Sequence, residues 1–140
     1  MQNCKVMNLN VIGDKRGNMV PLEYPKQIPF DLKRIYYIYN VPKSERRGYH
    51  SHNNLEQILI AVSGRVSILT KTPFEEEITI LDNPSKGLYI GPMVWREMFD
   101  FSSDATLLVL ASHEYDENDY IRDFKLYEKK AINYFRKKEH

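Results

Sequence analysis

Two histidines, His50 and His52, stand two residues apart in the stretch RRGYHSHNNLEQILIAVSGRV (residues 46–66), and Glu56 follows four residues later. Imidazole is a common metal ligand, and its ordinary pKa near 6.5 lies closer to physiological pH than that of any other side chain. The pattern therefore admits two chemistries: a His/His/Glu metal site, or proton transfer by a pair of imidazoles. In an extended stretch, residues i and i+2 share a face about 7 Å apart, so both rings would open into one space. Each ring carries two nitrogens that need partners when buried, which makes the pair poor core filler. The plain alternative is a surface pair on an edge strand.

The rest of the chain has to hold that pair. Short β-rich runs follow one another: KVMNLNVI, NMVPLEY, LKRIYYIYNV, LEQILIAVS, RVSILTKT, EEITILD, KGLYIG, REMFDFS and ATLLVLAS. Turn residues separate them, including Gly13, Gly17, Ser63-Gly64, Asp82-Asn83-Pro84 and Gly91-Pro92. Many short strands without intervening helices predict an antiparallel all-β sandwich or barrel. RVSILTKT alternates, with Val66, Ile68 and Thr70 on one face, whereas LEQILIAV and ATLLVLAS are apolar almost throughout, as where both faces are covered. A jelly roll accommodates both patterns.

After Asp116 the period changes. Asp116 can cap a helix, Glu117 and Asp119 suit its first turn, and Tyr120, Phe124, Tyr127, Ala131 and Tyr134 recur at steps of three and four. Residues 116–138 are thus expected to form a C-terminal helical segment, one helix or two with a break near Asp123, packing an aromatic stripe on the barrel.

The chain has 140 residues, 28% of them charged, with a net charge of +1. Its length fits a single domain over residues 1–140, and the balanced charge gives no reason to expect nucleic acid or an anionic membrane as partner. No apolar run is long enough to span a bilayer, and the first residues lack the layout of a signal peptide. A single cysteine, Cys4, excludes an internal disulfide. A cytoplasmic location is expected. Ten tyrosines exceed what a core of this size needs and suit a cleft or an interface.

The set Gly48, His50, His52, Glu56 and Gly64 resembles the first motif of the cupin superfamily. The region corresponding to the second motif, GLYIGPMVWREMF, places Arg96 where metal-holding cupins have a further histidine. Arginine has no lone pair to give, and its cation repels a metal ion. Neither His113 nor His140 substitutes convincingly. The resemblance is thus to a metal-free cupin, with the histidines left for acid–base work. More specifically, KRIYYIYNV, RGYHSHNNLEQ, GLYIGPMVWREM, DFSSDA and ASHEYDENDYIRDF together resemble the bacterial dTDP-sugar 3,4-ketoisomerases, over about Lys5 to Tyr127. That likeness implies a cupin double-stranded β-helix (jelly roll), a homodimer with exchanged N-terminal strands, and tautomerisation of a dTDP-4-keto-6-deoxyhexose through an enediol without metal or cofactor. It maps the catalytic pair onto His50 and His52, the second being the usual base. It also implies Arg47 as a binding residue, and it maps the family's paired tyrosines onto Tyr36 and Tyr37, of which Tyr37 is expected at the substrate.

The chemistry asks for such groups independently. A base must reach the proton beside the ketone, and donors or cations must meet the charge that develops on oxygen. A diphosphate suits the planar fork of arginine, for which Arg16, Arg47, Arg65 and Arg122 are candidates, with Arg96 at the sugar. The resemblance is divided over configuration at C-4: arginine at Arg16 matches the galacto-forming branch, and arginine at Arg96 the gluco-forming branch. The gluco product is the expectation here, feeding a 3-amino-3,6-dideoxy sugar for surface glycans such as O-antigen lipopolysaccharide. The alternatives are a 3,5-epimerase-like cupin, a metal-dependent oxygenase and a non-catalytic nucleotide-sugar-binding module.

Overall fold

The computed structural model describes residues 1–138, so that His140 lies outside the described residues. The strands are β1 (Cys4–Asn8), β2 (Ile12–Asp14), β3 (Gly17–Met19), β4 (Arg34–Tyr39), β5 (Arg47–His52) and β6 (Gln57–Ser63). They continue as β7 (Val66–Lys71), β8 (Glu76–Leu81), β9 (Lys86–Ile90), β10 (Trp95–Phe99), β11 (Thr106–Ala111) and β12 (Tyr120–Ile121), before helix α1 (Phe124–Lys138). One sheet runs β1-β9-β6-β11-β4, the other β12-β5-β10-β7-β8, and β2 and β3 form a separate hairpin. Every paired strand is antiparallel. This is the expected all-β jelly roll, closed by apolar residues between the sheets.

Alternation sorts the side chains. Val66 and Ile68 of β7 join Leu81 and Met98 from one sheet, facing Leu59, Ala61, Leu88, Ile90, Leu107 and Val109 from the other. β6 and β11 are apolar on both faces because their outer residues Ile58, Ile60 and Leu110 are covered by Leu9, Ile28 and Phe30 of the N-terminal segment. The outer face of the second sheet is covered by α1, whose Tyr127, Ala131 and Phe135 pack on Met93, Trp95 and Ile121. Burying each large side chain of that seam stabilises the fold by roughly 1.5–3 kcal/mol. Asp123 starts α1 by accepting a hydrogen bond from the Leu126 backbone at 3.1 Å, and Arg136, Lys137 and Lys138 in the last turn complement the helix dipole.

Two expectations need correction. The segment 116–138 is not helical throughout. Asp116 caps only a short 3-10 turn over Glu117–Asp119, and Tyr120–Ile121 then pairs with the edge of β5. The pairing gives an aromatic and a β-branched residue extended backbone partners, and it delays the helix to Phe124. Within NMVPLEY only Asn18 and Met19 are in a strand, because Pro21 and Pro25 lack the N–H that a ladder requires. No helix among the described residues is long and apolar enough to cross a membrane.

Candidate active site

β5 carries the histidines behind a bulge. Its register with β10 pairs Gly48 with Glu97 and His50 with Arg96, leaving Tyr49 as the extra residue. Gly48 (φ 96°) and Tyr49 (φ 55°) both take left-handed backbone. At Gly48 a Cβ would lie 2.9 Å from the Arg96 carbonyl oxygen, so glycine is required by both conformation and space. Beyond the bulge, His50 and His52 meet edge to face with ring centroids 4.8 Å apart, and the Tyr120 ring packs on both at 4.9 and 4.3 Å.

The two imidazoles differ. His50 Nδ1 lies 3.0 Å from the Gly48 carbonyl oxygen. A carbonyl only accepts, so Nδ1 carries the hydrogen and Nε2 keeps its lone pair. Burial, and next the Arg96 cation, pull the His50 pKa down to about 3, so the ring is neutral at pH 7. His52 is deeper, 1% exposed, and is lowered further by burial and then by Arg96. Among the described residues neither of its nitrogens has a hydrogen-bond partner, and the Asp119 carboxylate stands 3.6 Å from Nδ1. Asp119 is itself held by the backbone amides of Asn54 and Leu55 at 2.9 and 3.1 Å.

Arg96 is 1% exposed. Its Nη1 donates to Gln57 Oε1 at 2.6 Å, and Nε and Nη2 donate to the Val94 carbonyl at 3.4 and 3.2 Å. Gln57 Nε2 in turn donates to Tyr36 Oη at 3.1 Å. Among the described residues no carboxylate forms an ion pair with Arg96. Burial lowers its pKa to about 10, leaving it a cation at pH 7. Burial likewise raises the Tyr36 phenol, against opposing pulls from Gln57 and Arg96. Glu56, the potential third ligand of the sequence pattern, faces elsewhere and accepts from Tyr89 Oη at 2.6 Å. Among the described residues no three His, Cys, Asp or Glu side chains converge on a point suited to a metal.

A cleft of about 400 Å³ opens between the facing edges of the two sheets, lined by Tyr36 and Ile38 of β4, Arg47 and His50 of β5, and Tyr120. Arg34 and Arg122 share this cleft with Arg47. Arg122 lies 4.4 Å over the Tyr120 ring and is held by Glu117 through Nε and Nη2 at 2.8 and 3.0 Å. His52 instead lines a smaller adjoining cavity of about 80 Å³ with Asp119.

Of the sequence candidates, the structure thus brings His50, Arg47 and Arg122 to one cleft, with His52 and Arg96 behind its wall. Three others lie elsewhere. Tyr37 is 63% exposed, because alternation along β4 sends Tyr36 inward and Tyr37 out. Arg65 pairs with Asp100 at 2.8 Å beside the β6–β7 turn. Arg16 sits at the tip of the β2–β3 hairpin, 2.7 Å from Asp14. Sequence reasoning missed Arg34, Gln57 and Asp119 as site residues, and Tyr115, which also lines the cleft. It also placed Tyr120 in a packing stripe. The signals present were period-two alignment of Arg34 with Tyr36 and the position of Gln57 at the start of an otherwise apolar strand.

Antiparallel sheets enclosing a polar cleft with imidazoles on its wall define a cupin-type barrel. The family described as "FdtA: WxcM-like, C-terminal" matches residues 2–132. A curated relative, the TDP-4-oxo-6-deoxy-alpha-D-glucose-3,4-oxoisomerase of Aneurinibacillus thermoaerophilus, is 49% identical over 130 residues, 92% of each chain. A sugar 3,4-ketoisomerase from Thermoanaerobacterium thermosaccharolyticum, solved in complex with TDP, superposes with a TM-score of 0.93 at 51% identity, covering 96% of this chain and 98% of that one. A histidine-to-asparagine variant of the same enzyme, in complex with TDP-4-keto-6-deoxyglucose, gives 0.92 at 50% identity over 95% and 96% of the two chains. The chain belongs to this family of sugar 3,4-ketoisomerases and is an isomerase.

Proposed function

We propose that the protein converts dTDP-4-keto-6-deoxyglucose to dTDP-3-keto-6-deoxyglucose through an enediol, with His50 as the base. The observation that carries this reading is the state of His50: neutral, Nδ1 tied to the Gly48 carbonyl, and Nε2 free on a ring that lines the cleft. A neutral base beside a buried cation is suited to the task. Nε2 takes the C-3 proton, and the charge that moves to the ketone oxygen develops in the field of Arg96. An arginine at this position stays protonated throughout and moves no proton itself. His52 supports the pair from behind, which departs from the expectation that the second imidazole is the base.

Arg34, Arg47 and Arg122 supply the charge for a diphosphate at the cleft, and Arg122 already stacks on an aromatic ring beside it. Arg16 takes part only through a second copy, in a homodimer with exchanged N-terminal strands. That assembly is supported by the exposed apolar residues Val11, Ile12 and Met19 around the hairpin and by Ile35, Tyr37 and Tyr39 on the outer face of β4. An enzyme that transfers an amino group to the new ketone would consume the product. Incubation with dTDP-4-keto-6-deoxyglucose in D₂O, read by NMR, tests the reading. Deuterium at C-3 of recovered substrate and at C-4 of product is expected, while uptake at C-5 would mark an epimerase, and no uptake would refute the proposal.

A further inference from the structure

We propose that Arg46 and Glu97 form a latch on the outer face of the second sheet that fixes Arg47 in the cleft. They are positioning residues for the diphosphate of the nucleotide sugar, and their role rests on the reading of Arg47 given above.

Alternation alone would send the other arginine inward. On an unbroken strand Arg46, Gly48, His50 and His52 would share one face, and Arg47 would point away from the histidines. The bulge reverses this. Directly opposite residues of an antiparallel pair share a face, and β5 meets β10 as His50 with Arg96, Gly48 with Glu97 and Arg47 with Met98. Met98 belongs to the core between the sheets, so Arg47 faces inward with His50 although three residues separate them. The extra residue Tyr49 thus brings Arg47 into the cleft lining beside His50. A one-residue slip of β5 would exchange the two arginines.

Among the described residues Arg47 forms no ion pair of its own, so the phase of the backbone sets its direction. Arg46 holds that phase. Its Nε donates to Glu97 Oε1 at 2.7 Å, and its guanidinium lies 4.1 Å over the Phe99 ring. Glu97 and Phe99 alternate with Arg96 and Met98 along β10 and face outward. Glu97 is only 12% exposed, and Trp95 Nε1 donates to its second oxygen at 2.9 Å. Burial would raise the Glu97 carboxyl, but the bonds from Trp95 and Arg46 outweigh it and hold the group below its ordinary pKa. Trp95 itself is buried under α1. The anchor therefore runs from the helix seam through Trp95 and Glu97 to Arg46, one peptide bond from Arg47.

A double-mutant cycle separates positioning of Arg47 from general support of the fold. KM for dTDP-4-keto-6-deoxyglucose should rise as the fraction of molecules with Arg47 inward falls. Arg46→Ala is expected to raise KM, and the Kd for dTDP, by about fivefold to tenfold, with kcat within about twofold of wild type. Arg46→Lys should recover most of that loss, because an ammonium can still pair with Glu97. Glu97→Gln keeps an acceptor for Trp95 but loses the ion pair, and should raise KM about threefold. On an Arg47→Ala background either change should add less than about 1.5-fold, since no arginine is left to position. Equal rises in both backgrounds, an unchanged KM for Arg46→Ala, or a fall in kcat as large as the rise in KM would overturn the latch. An Arg47→Ala variant that binds dTDP like the wild type would refute the reading of Arg47 and the latch with it. If the wild type binds dTDP without turnover, the isomerase reading fails, and the same cycle in dTDP affinity still decides the latch.

Discussion

Two buried polar clusters sit on opposite faces of the second sheet, and they are finished to different degrees. Under α1, Tyr127 is fully buried, and its one hydroxyl hydrogen is shared between the carbonyls of Lys71 and Met93, each 2.9 Å away, inside an apolar seam. On the inner face, among the described residues, His52 has no partner for either nitrogen, and Arg96 is buried without a counter-ion. A buried polar group left unpaired costs on the order of 1–3 kcal/mol, more if charged. The outer cluster therefore stabilises the fold, whereas the inner one holds charge and lone pairs ready for a ligand. The contrast is between Tyr127 and the His52–Arg96 pair and is not a rule for the whole sheet, since Ser51 Oγ, on the face of β5 away from the two histidines, is also buried without a partner among the described residues.

The sharpest way to break that contrast is His50→Asn. Turnover should fall by about 10²–10⁴-fold, the range for a lost general base, while folding free energy changes by no more than about 1 kcal/mol. A large loss of stability with modest loss of activity would put His50 in the structural class. Rates on dTDP-4-keto-6-deoxyglucose and urea midpoints decide it.

Acid should expose the same difference through stability. The unfolded chain protonates His50 near 6.5, whereas the fold keeps it neutral down to about 3. Between those values the unfolded state binds the extra proton, so stability is complete above about pH 6.5 and falls as pH drops toward 3. His52 shifts in the same direction. Each histidine contributes at most about 1.4 kcal/mol per pH unit. Urea midpoints at pH 7.5, 5.5 and 4.5 should decline in the wild type and flatten in a His50→Asn/His52→Asn double variant. A double variant that declines as steeply would show that other groups set the slope.

Much of the frame was legible in the sequence. Alternation in β7 and the doubly apolar runs of β6 and β11 read directly as a two-sheet barrel, and the spacing of His50 and His52 identified the inner wall. What the sequence hid depends on partners far away in the chain. Tyr120 fits the helical spacing of Tyr127 and Ala131, but pairing with β5 captures it and lays its ring on the histidines. Tyr36 and Tyr37 are equivalent as residue types, and only the phase of β4 distinguishes them. Gln57 looks like one polar residue opening a core strand until Arg96, 39 positions away, fixes which end of its amide faces the tyrosine. The bulge at Gly48–Tyr49 was equally invisible, since it exists only against β10.

Tyr127→Phe tests the finished cluster. It removes one hydroxyl and leaves two carbonyls short of a donor, so a loss of roughly 1–3 kcal/mol is expected, with kcat within about twofold of wild type. A thermal melt and a rate assay on the same preparation suffice. A selective loss of rate would mean that α1 communicates with the cleft.

Arg65 should give the smallest effect, and it tests whether location rather than charge assigns an arginine to the site. Its guanidinium bonds Asp100 at 2.8 Å with about half of the side chain exposed. Exposed pairs of this kind contribute about 0.2–1 kcal/mol, and Arg65 is absent from the cleft lining. Arg65→Ala should therefore shift stability by less than about 1 kcal/mol and leave KM for the dTDP-sugar unchanged. Arg47→Ala, made in parallel, should raise KM, because the same charge stands beside His50 within the cleft. If the Arg65 variant raised KM as much as the Arg47 variant, the nucleotide would have to lie across the β6–β7 turn rather than between the sheets.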